Sequence, residues 1–363
     1  MKKISIITYS RAYNYGSALQ TFALNSYLRK LGNEVKTIDY STKQQRNLYR
    51  IFEPCKGILS VMRNIHSLLN WFKLKRHKKR FDTFLTANIP MTDKINDTLH
   101  LESLNNDFDY FICGSDQIWN VKCDDYDPNY MLSFVYDKKK CIAYAPSLGA
   151  GADKKETKDA IAKYVTEFKA LSCRESKSAA IIESVTHKEV KKVLDPVFLL
   201  TSDEWSKVAP EDIIKGEYIL GYFIGDIIGM RNYALKLSRQ MGIPVVVIYK
   251  NLRDLKYKFD NYYEAGPAEF VSLIRNAKCI VTNSFHAISF SIIYKRDFWV
   301  FIDQKSSDSR ITGLLDDVNL RCRIVNNLTM PDMDVSIPYE ALDFSVLNEK
   351  INVSKKYLME NLY

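Results

Sequence analysis

The chain has 363 residues, of which 46% are hydrophobic and 12% aromatic, with 13 glycines and a formal net charge of +9. That length suffices for two domains with separate cores, and the composition excludes a disordered or collagen-like chain. No run approaches the roughly 18 uninterrupted apolar residues of a spanning helix.

The start, MKKISIITYSR, is basic and then apolar only from Ile4 to Tyr9, with no small-residue cleavage site soon after. It reads as a first β-strand rather than a signal peptide, so a cytoplasmic location is expected. The first unit runs strand Lys3–Tyr9, polar loop Ser10–Tyr15, helix from about Gly16 to Leu31, and strand Glu34–Asp39. Leu19, Phe22, Ala23 and Leu28 share one side of that helix, and Gly32 is a suitable stop. This is a βαβ opening of an α/β fold. Only Gly16 is present where a GxGxxG would stand, so dinucleotide binding is disfavoured.

Between Pro54 and Phe81 lie eight Lys or Arg (Lys56, Arg63, Lys73, Lys75, Arg76, Lys78, Lys79 and Arg80) and no acidic residue, which leaves about +1 for the rest of the chain. Ile58, Val61, Met62, Ile65, Leu68, Leu69 and Phe72 recur near helical spacing. A basic amphipathic helix of this kind lies on an anionic membrane, contacts nucleic acid, or presents a solvated face while its apolar side packs on its own domain. The near-neutral remainder argues against broad nucleic-acid binding.

Four further strands follow, each ending in a polar turn. Asp109–Cys113 ends in Gly114-Ser115-Asp116-Gln117, and Lys140–Tyr144 in Ala145-Pro146-Ser147. Ala170–Cys173 ends in Arg174-Glu175-Ser176, before a helix at Ala179–Glu183, and Lys192–Leu194 ends in Asp195-Pro196. In a doubly wound sheet such loops gather on one edge. Asp116 and Gln117 suit sugar hydroxyls, or form a structural Asx turn. Arg174 suits bidentate capture of a carboxylate or phosphate, or pairs with Glu175 or another carboxylate.

A boundary is expected in the polar stretch Thr201–Glu217, which holds Pro210 and Gly216. A second α/β unit then runs strand Tyr218–Phe223, helix Met230–Met241, strand Val245–Tyr249, helix Ala268–Asn276, strand Cys279–Thr282, helix Phe285–Tyr294 and strand Phe298–Ile302. Helices are predicted for Arg310 to about Asp317 and about Val346 to Leu362. The expected division is 1–205, 217–340 and a C-terminal helix in 341–363, with the basic segment 54–85 on the first domain.

The block Lys278–Ile302 carries the strongest local signal. A β-branched strand ends in Asn283 and Ser284, either of which can cap a helix, and His286 stands where the helix opens. Free N–H groups at a helix start attract anions, and ligands bind at the carboxyl ends of strands in open α/β sheets. A satisfied structural histidine is the bland alternative. Ser306-Ser307-Asp308-Ser309 before Arg310 offers hydroxyls, backbone N–H groups and a guanidinium together, or is a plain capping loop.

Seven cysteines, an odd number with no Cys-x-x-Cys, argue for reduced thiols, and the five scattered histidines lack metal-ligand spacing. No P-loop, HExxH, Ser-His-Asp order or paired-carboxylate motif is evident, so no metal is expected.

Asn14-Tyr15-Gly16, Gly114-Ser115-Asp116-Gln117, Arg174-Glu175, Asp195-Pro196 and Thr282-Asn283-Ser284-Phe285-His286 together resemble the polysaccharide pyruvyl transferase family over roughly residues 1 to 325. The resemblance implies a GT-B-like fold of two Rossmann-like, doubly wound domains facing across a cleft, with a C-terminal helix packing back on the first. It implies no cofactor, phosphoenolpyruvate as donor, and transfer of its enolpyruvyl moiety to a sugar of a cell-surface polysaccharide precursor as a cyclic ketal. By resemblance, His286 is the acid/base and Arg174 holds the donor's anionic groups. To these we add Asn283, Ser284, Ser307, Ser309 and Arg310 on the donor side, and Asn14, Tyr15, Gly16, Ser115, Asp116 and Gln117 on the acceptor side. After His286 the chain reads Ala287-Ile288-Ser289 where many relatives have glycine, which leaves acceptor identity open. A lipid-linked or nucleotide-linked acceptor and peripheral contact with the inner membrane face are expected partners, and nucleic acid is not. The enzymatic rival is a GT-B glycosyltransferase using a nucleotide sugar, and the non-enzymatic rival is a sugar- or nucleic-acid-binding module.

Overall fold

The structure is a computed structural model, which describes all residues except 226, 228, 249–256, 263, 303–308 and 326–335, and the side chains of 150 and 309. It divides into two compact units. Unit 1 comprises Met1–Leu69, Phe81–Leu200 and Glu349–Tyr363, and unit 2 comprises Asn70–Arg80 and Thr201–Asn348.

In unit 1, β1 (Lys3–Ile7), β2 (Glu34–Tyr40), β3 (Met91–Ile95), β4 (Tyr110–Cys113) and β5 (Cys141–Ala143) form a sheet of order β3-β2-β1-β4-β5. A pair formed by β6 (Leu171–Cys173) and β7 (Val190–Lys192) continues it, because Ala143 N–H donates to the Ala170 carbonyl at 3.0 Å and Lys169 N–H to the Cys141 carbonyl at 2.9 Å. Every strand pairing is parallel. Both faces of a parallel sheet are covered, so its strands read as apolar runs such as Ile4, Ile6 and Ile7, all without exposed surface. The helix Tyr15–Lys30 returns the chain from β1 to β2. Asn14 caps its start by accepting from Ser17 N–H, and Gly32, at φ +83°, ends it.

Unit 2 repeats the plan. β8 (Ile219–Tyr222), β9 (Val245–Val247), β10 (Asp260–Asn261), β11 (Cys279–Thr282), β12 (Asp297–Phe301) and β13 (Ile324–Val325) lie in the order β10-β9-β8-β11-β12-β13, again all parallel. Counted from its own first strand, each unit has the order 3-2-1-4-5-6 that defines a Rossmann-type sheet. In both, the order reverses beside the first strand, between β1 and β4 and between β8 and β11.

The C-terminal helix Ser345–Leu362 contributes its residues from Glu349 onward to unit 1. Tyr357 Oη donates to the Ala143 carbonyl at 2.8 Å, Ser354 Oγ accepts from Leu194 N–H at 2.9 Å, and Tyr363 Oη donates to the Leu31 carbonyl at 2.7 Å. Between this helix and the amino-terminal ends of β6 and β7 lies a cavity of about 570 Å³, lined by Lys169, Lys188, Lys191, Lys356 and Glu360. It sits at the opposite end of the strands from their polar turns. Its lysines are engaged: Lys169 with Asn361, Lys188 with Phe168, Lys191 with Glu189, and Lys356 with Glu360.

The basic segment, read above as one helical stretch on the first domain, is two helices, Ile58–Leu69 and Trp71–Asn88, that break at Asn70. The first half of the second helix groups with unit 2, where Arg80 pairs with Glu269 at 3.2 Å and Arg76 with Glu264 at 2.9 Å. Gly266 lets it come close, since a Cβ there would stand 2.6 Å from Arg80 Cβ. From Phe81 onward the same helix belongs to unit 1, where Phe84 packs on Phe22 with ring centroids 5.5 Å apart.

Two measurements follow from this packing. Tyr357→Phe is expected to cost about 1 kcal/mol of stability, since Ser172 Oγ still donates to the Ala143 carbonyl. Tyr357→Ala is expected to cost about 3–5 kcal/mol, and denaturant titration separates the two. His77 donates from Nδ1 to the Ala265 carbonyl at 2.7 Å, and burial lowers its pKa from the ordinary 6.5 to about 4, against the opposing pull of that hydrogen bond. The unfolded chain therefore binds the extra proton first. Stability present above pH 6.5 is lost as pH falls towards 4, by about 2–3 kcal/mol. Thermal unfolding across that window shows this loss, and His77→Gln flattens it.

Candidate functional site

In unit 1 the polar turns sit together at the carboxyl edge of the sheet. Asp116 follows β4 with φ +80°, a left-handed conformation that few residues other than Gly, Asn and Asp accept. Its Oδ1 accepts from Gln117 N–H at 2.8 Å, and its Oδ2 accepts a short hydrogen bond from Ser17 Oγ. Ser17 lies in the first turn of the helix that follows β1, just after Asn14, Tyr15 and Gly16. The Ser17–Asp116 bond thus closes the point where strand order reverses, which is where open α/β sheets bind ligands. Gln117 Oε1 accepts from Asn120 Nδ2 at 3.0 Å. Gly149, at φ +54°, lets the loop after β5 pass against both side chains, where a Cβ would collide.

Behind these turns is a buried ionic knot. Arg174 donates from Nη1 to Asp195 Oδ2 at 2.6 Å and from Nε to Glu175 Oε1 at 3.1 Å, with its side chain 4% exposed. Burial alone would lower the guanidinium's pKa, and Glu175, Asp195 and Asp116 together outweigh it and raise it. Asp195 Oδ2 also accepts from Ser115 Oγ at 3.2 Å, and that hydroxyl bonds to the Ala145 carbonyl at 3.0 Å. Arg174 therefore ties the turns after β6 and β7, and Asp195 extends the tie through Ser115 to the turns after β4 and β5. Ser115 is fully buried within this knot.

Sequence reasoning missed several groups at the same edge. Tyr9, Tyr49, Cys123 and Asp125 all have burial as the main cause of a raised pKa, and Cys123 reaches about 11. Asp116 raises it further at all four, and Asp125 does so at both tyrosines and Cys123. These are two carboxylates, two phenols and a thiol around one polar region. Tyr9 could have been found from its place just after β1, at the strand reversal. Tyr49, Cys123 and Asp125 stand on irregular segments with no local pattern.

In unit 2 the corresponding edge carries the His286 turn. Thr282, the last residue of β11, donates to the Tyr222 carbonyl at 2.7 Å and accepts from Ser284 N–H at 3.0 Å. Ser284 caps the helix Phe285–Ile293 by accepting from Ala287 N–H. Asn283 spends both ends of its amide on Ile224, accepting from its N–H at 2.8 Å and donating to its carbonyl at 2.7 Å. The turns after β8 and β11 are thereby locked together at this unit's strand reversal. His286 is the second residue of the helix, half-buried, with its ring edge-on to Phe285 at 5.3 Å. The other histidine of this unit, His77, is held against Ala265. A buried arginine that sequence reasoning passed over, Arg231, stands in the first turn of the helix after β8, its guanidinium 5.2 Å from the Phe223 ring centre. Its position after Gly225 and Gly229 at the strand reversal is the signal that could have found it. Arg310 is half-buried in the first turn of the helix Ser309–Asp317 after β12. Ser307 lies outside the described residues.

The model of the polysaccharide pyruvyl transferase family matches residues 14–303. The chain belongs to that family, which is one of transferases. The matched span runs from the Asn14 cap through His286 to the end of β12. No curated protein matches the chain in sequence. Among solved structures it is similar to a UDP-N-acetylglucosamine 2-epimerase from Rickettsia bellii (10% identity, 100% of this chain and 96% of that one, TM-score 0.54). It is also similar to a putative UDP-N-acetylglucosamine 2-epimerase from Listeria monocytogenes (10%, 98% and 90%, TM-score 0.53). These likenesses show the fold alone, α/β with two Rossmann-like halves of GT-B type. Among the described residues no group of three or more His, Cys, Asp or Glu is placed to hold a metal ion, and no helix is long and apolar enough to cross a membrane.

Removing Arg174 leaves two carboxylates buried without their counter-charge. Arg174→Ala is expected to destabilise unit 1 by about 3–5 kcal/mol. The check is denaturant unfolding of the variant in the absence of any ligand.

Proposed function

We propose that the protein transfers the pyruvyl group of phosphoenolpyruvate to a sugar of a cell-surface polysaccharide precursor, forming a cyclic ketal and releasing phosphate. The observation that carries this reading is the family match through residue 303, with His286 at the head of a helix on the carboxyl edge of unit 2. An imidazole there can give and take a proton, as the reaction requires.

In the first step a proton passes from the acid to the methylene carbon of phosphoenolpyruvate. The carbon–carbon double bond becomes a methyl group, and one sugar hydroxyl bonds to C2. In the second step another hydroxyl of the same sugar bonds to C2 as the C2–O–phosphate bond breaks. Of the two hydroxyl protons displaced, one balances the new methyl group and the other leaves with phosphate or solvent. His286 is assigned the proton transfers. Ser284 and the N–H groups at the same helix start, with Arg310, are assigned to the donor's phosphate and carboxylate, which guanidinium and helix-terminus donors suit. Ser309 and Ser307 stay with this assignment from the sequence alone. Asn283, whose amide is spent on Ile224, is assigned to holding the donor turn. Arg231 joins the donor side as a second guanidinium at a helix start.

The acceptor is assigned to the carboxyl edge of unit 1. Asp116 and Gln117, with Asn14 at the adjoining helix start, offer the hydrogen-bonding groups that sugar hydroxyls take, while Tyr15, buried with its ring centre 5.1 Å from that of Phe81, and Gly16 are assigned to shaping that helix start. Arg174 and Ser115 are assigned as positioning residues, because Arg174 Nε and Nη1 bond to Glu175 and Asp195 and the Ser115 hydroxyl bonds to Asp195 and Ala145. A lipid-linked or nucleotide-linked sugar is the acceptor class, and the cytoplasmic face is the place where such precursors meet phosphoenolpyruvate.

The test is thermal unfolding with phosphoenolpyruvate. Stabilisation should rise with the logarithm of concentration above Kd, reaching about 2.7 kcal/mol at a hundredfold excess over Kd. Arg310→Ala should weaken the donor's affinity roughly tenfold to a hundredfold. His286→Asn should keep binding and lower turnover by about 10²–10⁴. No response to phosphoenolpyruvate, with stabilisation by a nucleoside diphosphate instead, would overturn the reading in favour of transfer from a nucleotide sugar.

A further inference from the structure

The helix Ile58–Leu69 exposes the side that an ordinary surface helix buries. Ile58 is 81% exposed, Met62 50%, Ile65 54% and Leu69 81%. Their spacing of four, three and four residues puts them on one face. Leu59 and Leu68 widen that face, at 72% and 65% exposed.

The helix is nevertheless well built. Ser60 Oγ accepts from the N–H groups of Lys56 and Gly57, at 2.9 and 3.1 Å, and donates to the Gly57 carbonyl. Asn64 holds the approaching chain by exchanging two 2.9 Å hydrogen bonds with the Glu53 backbone. A formed helix with a bare apolar face marks an interaction surface.

Its charges select the partner. From Pro54 to Phe81 the chain has eight basic residues and no acid. Lys56 and Arg63 flank or lie within this helix, and Lys73 and Lys75 are exposed at the start of the next. Arg63, Arg76 and Arg80 pair with Glu53, Glu264 and Glu269, but an apolar stripe beside the exposed lysines Lys56, Lys73 and Lys75 still complements an anionic lipid surface, which accepts acyl-depth side chains and neutralises cations at its phosphates.

We infer that the helix Ile58–Leu69 lies in the head-group region of an anionic phospholipid membrane. Ile58, Met62, Ile65 and Leu69 enter the acyl boundary, while Lys56, Lys73 and Lys75 meet the lipid phosphates. The inference goes beyond the proposed reaction and does not rest on it, since vesicle binding needs no turnover.

The experiment is sedimentation of the full chain with phosphatidylcholine vesicles, with and without phosphatidylglycerol, at low and high salt. Binding is expected only with phosphatidylglycerol, and salt should weaken it. Ile65→Glu with Leu69→Glu should reduce partitioning about a hundredfold or more. Lys56→Gln with Lys73→Gln should reduce it about 25-fold. All four positions are exposed, so the unfolding midpoints should match wild type. Absence of binding to anionic vesicles at low salt would overturn the inference, as would equal binding by the Ile65→Glu/Leu69→Glu variant. Elution as a dimer that this variant converts to monomer would also overturn it, by assigning the face to a second copy of the chain.

Discussion

Everything functional in this protein depends on parallel strand pairing. A parallel sheet sends all its carboxyl ends to one edge, so residues far apart in sequence meet there without any one loop needing to reach far. Both units use the device with the same strand order, and both secure the reversal point with a hydrogen-bonded bridge between turns. In unit 1 the bridge is Ser17 to Asp116. In unit 2 it is Asn283 to the backbone of Ile224. The chemistry differs, a hydroxyl and carboxylate against an amide and peptide, while the location is the same.

The two edges are electrically unlike. Around the unit 1 edge are Asp116, Asp125, Glu175 and Asp195, with the buried Arg174 as counter-charge inside the knot. Arg11, paired with Asp39, and Arg46 stand at the same edge, and an edge this rich in hydrogen-bonding groups suits hydroxyl-rich molecules. The unit 2 edge carries His286, Arg231 and Arg310 beside helix starts, where backbone N–H groups add positive potential. This division fits a sugar on one unit and a phosphate-bearing donor on the other. Arg174, read from sequence as an anion holder, has its Nε and Nη1 turned to Glu175 and Asp195.

Much of the fold was legible because parallel strands are short apolar runs with punctuated ends. Cys279–Thr282 and Met230–Met241 are found at the bounds read from sequence, the first fixed by its β-branched residues and the second by Gly242. β3 was not legible, because MTDKI is a polar strand at the sheet edge with only Ile95 buried. The helix Lys155–Tyr164 escaped for a similar reason, since it buries only Thr157 and Ile161. At the site, the His286 turn was legible as a strand–cap–helix pattern. The Ser17–Asp116 bond was not, because 99 residues separate its partners and neither carries a local signal of the other. Arg174 showed its neighbour Glu175 in sequence, whereas Asp195 joins it only through the adjacency of β6 and β7.

The segment composition of unit 1 has a consequence for how the chain is made. That unit is complete only when residues from Glu349 onward lie against strands that end before Leu200. During synthesis the whole of unit 2's long segment, Thr201–Asn348, therefore leaves the ribosome while unit 1 still waits for its last helix. Until then the Leu194 N–H lacks its Ser354 partner, and the carbonyl of Ala143 lacks one of its two donors. Unit 1 is therefore completed only after the main segment of unit 2 has been made.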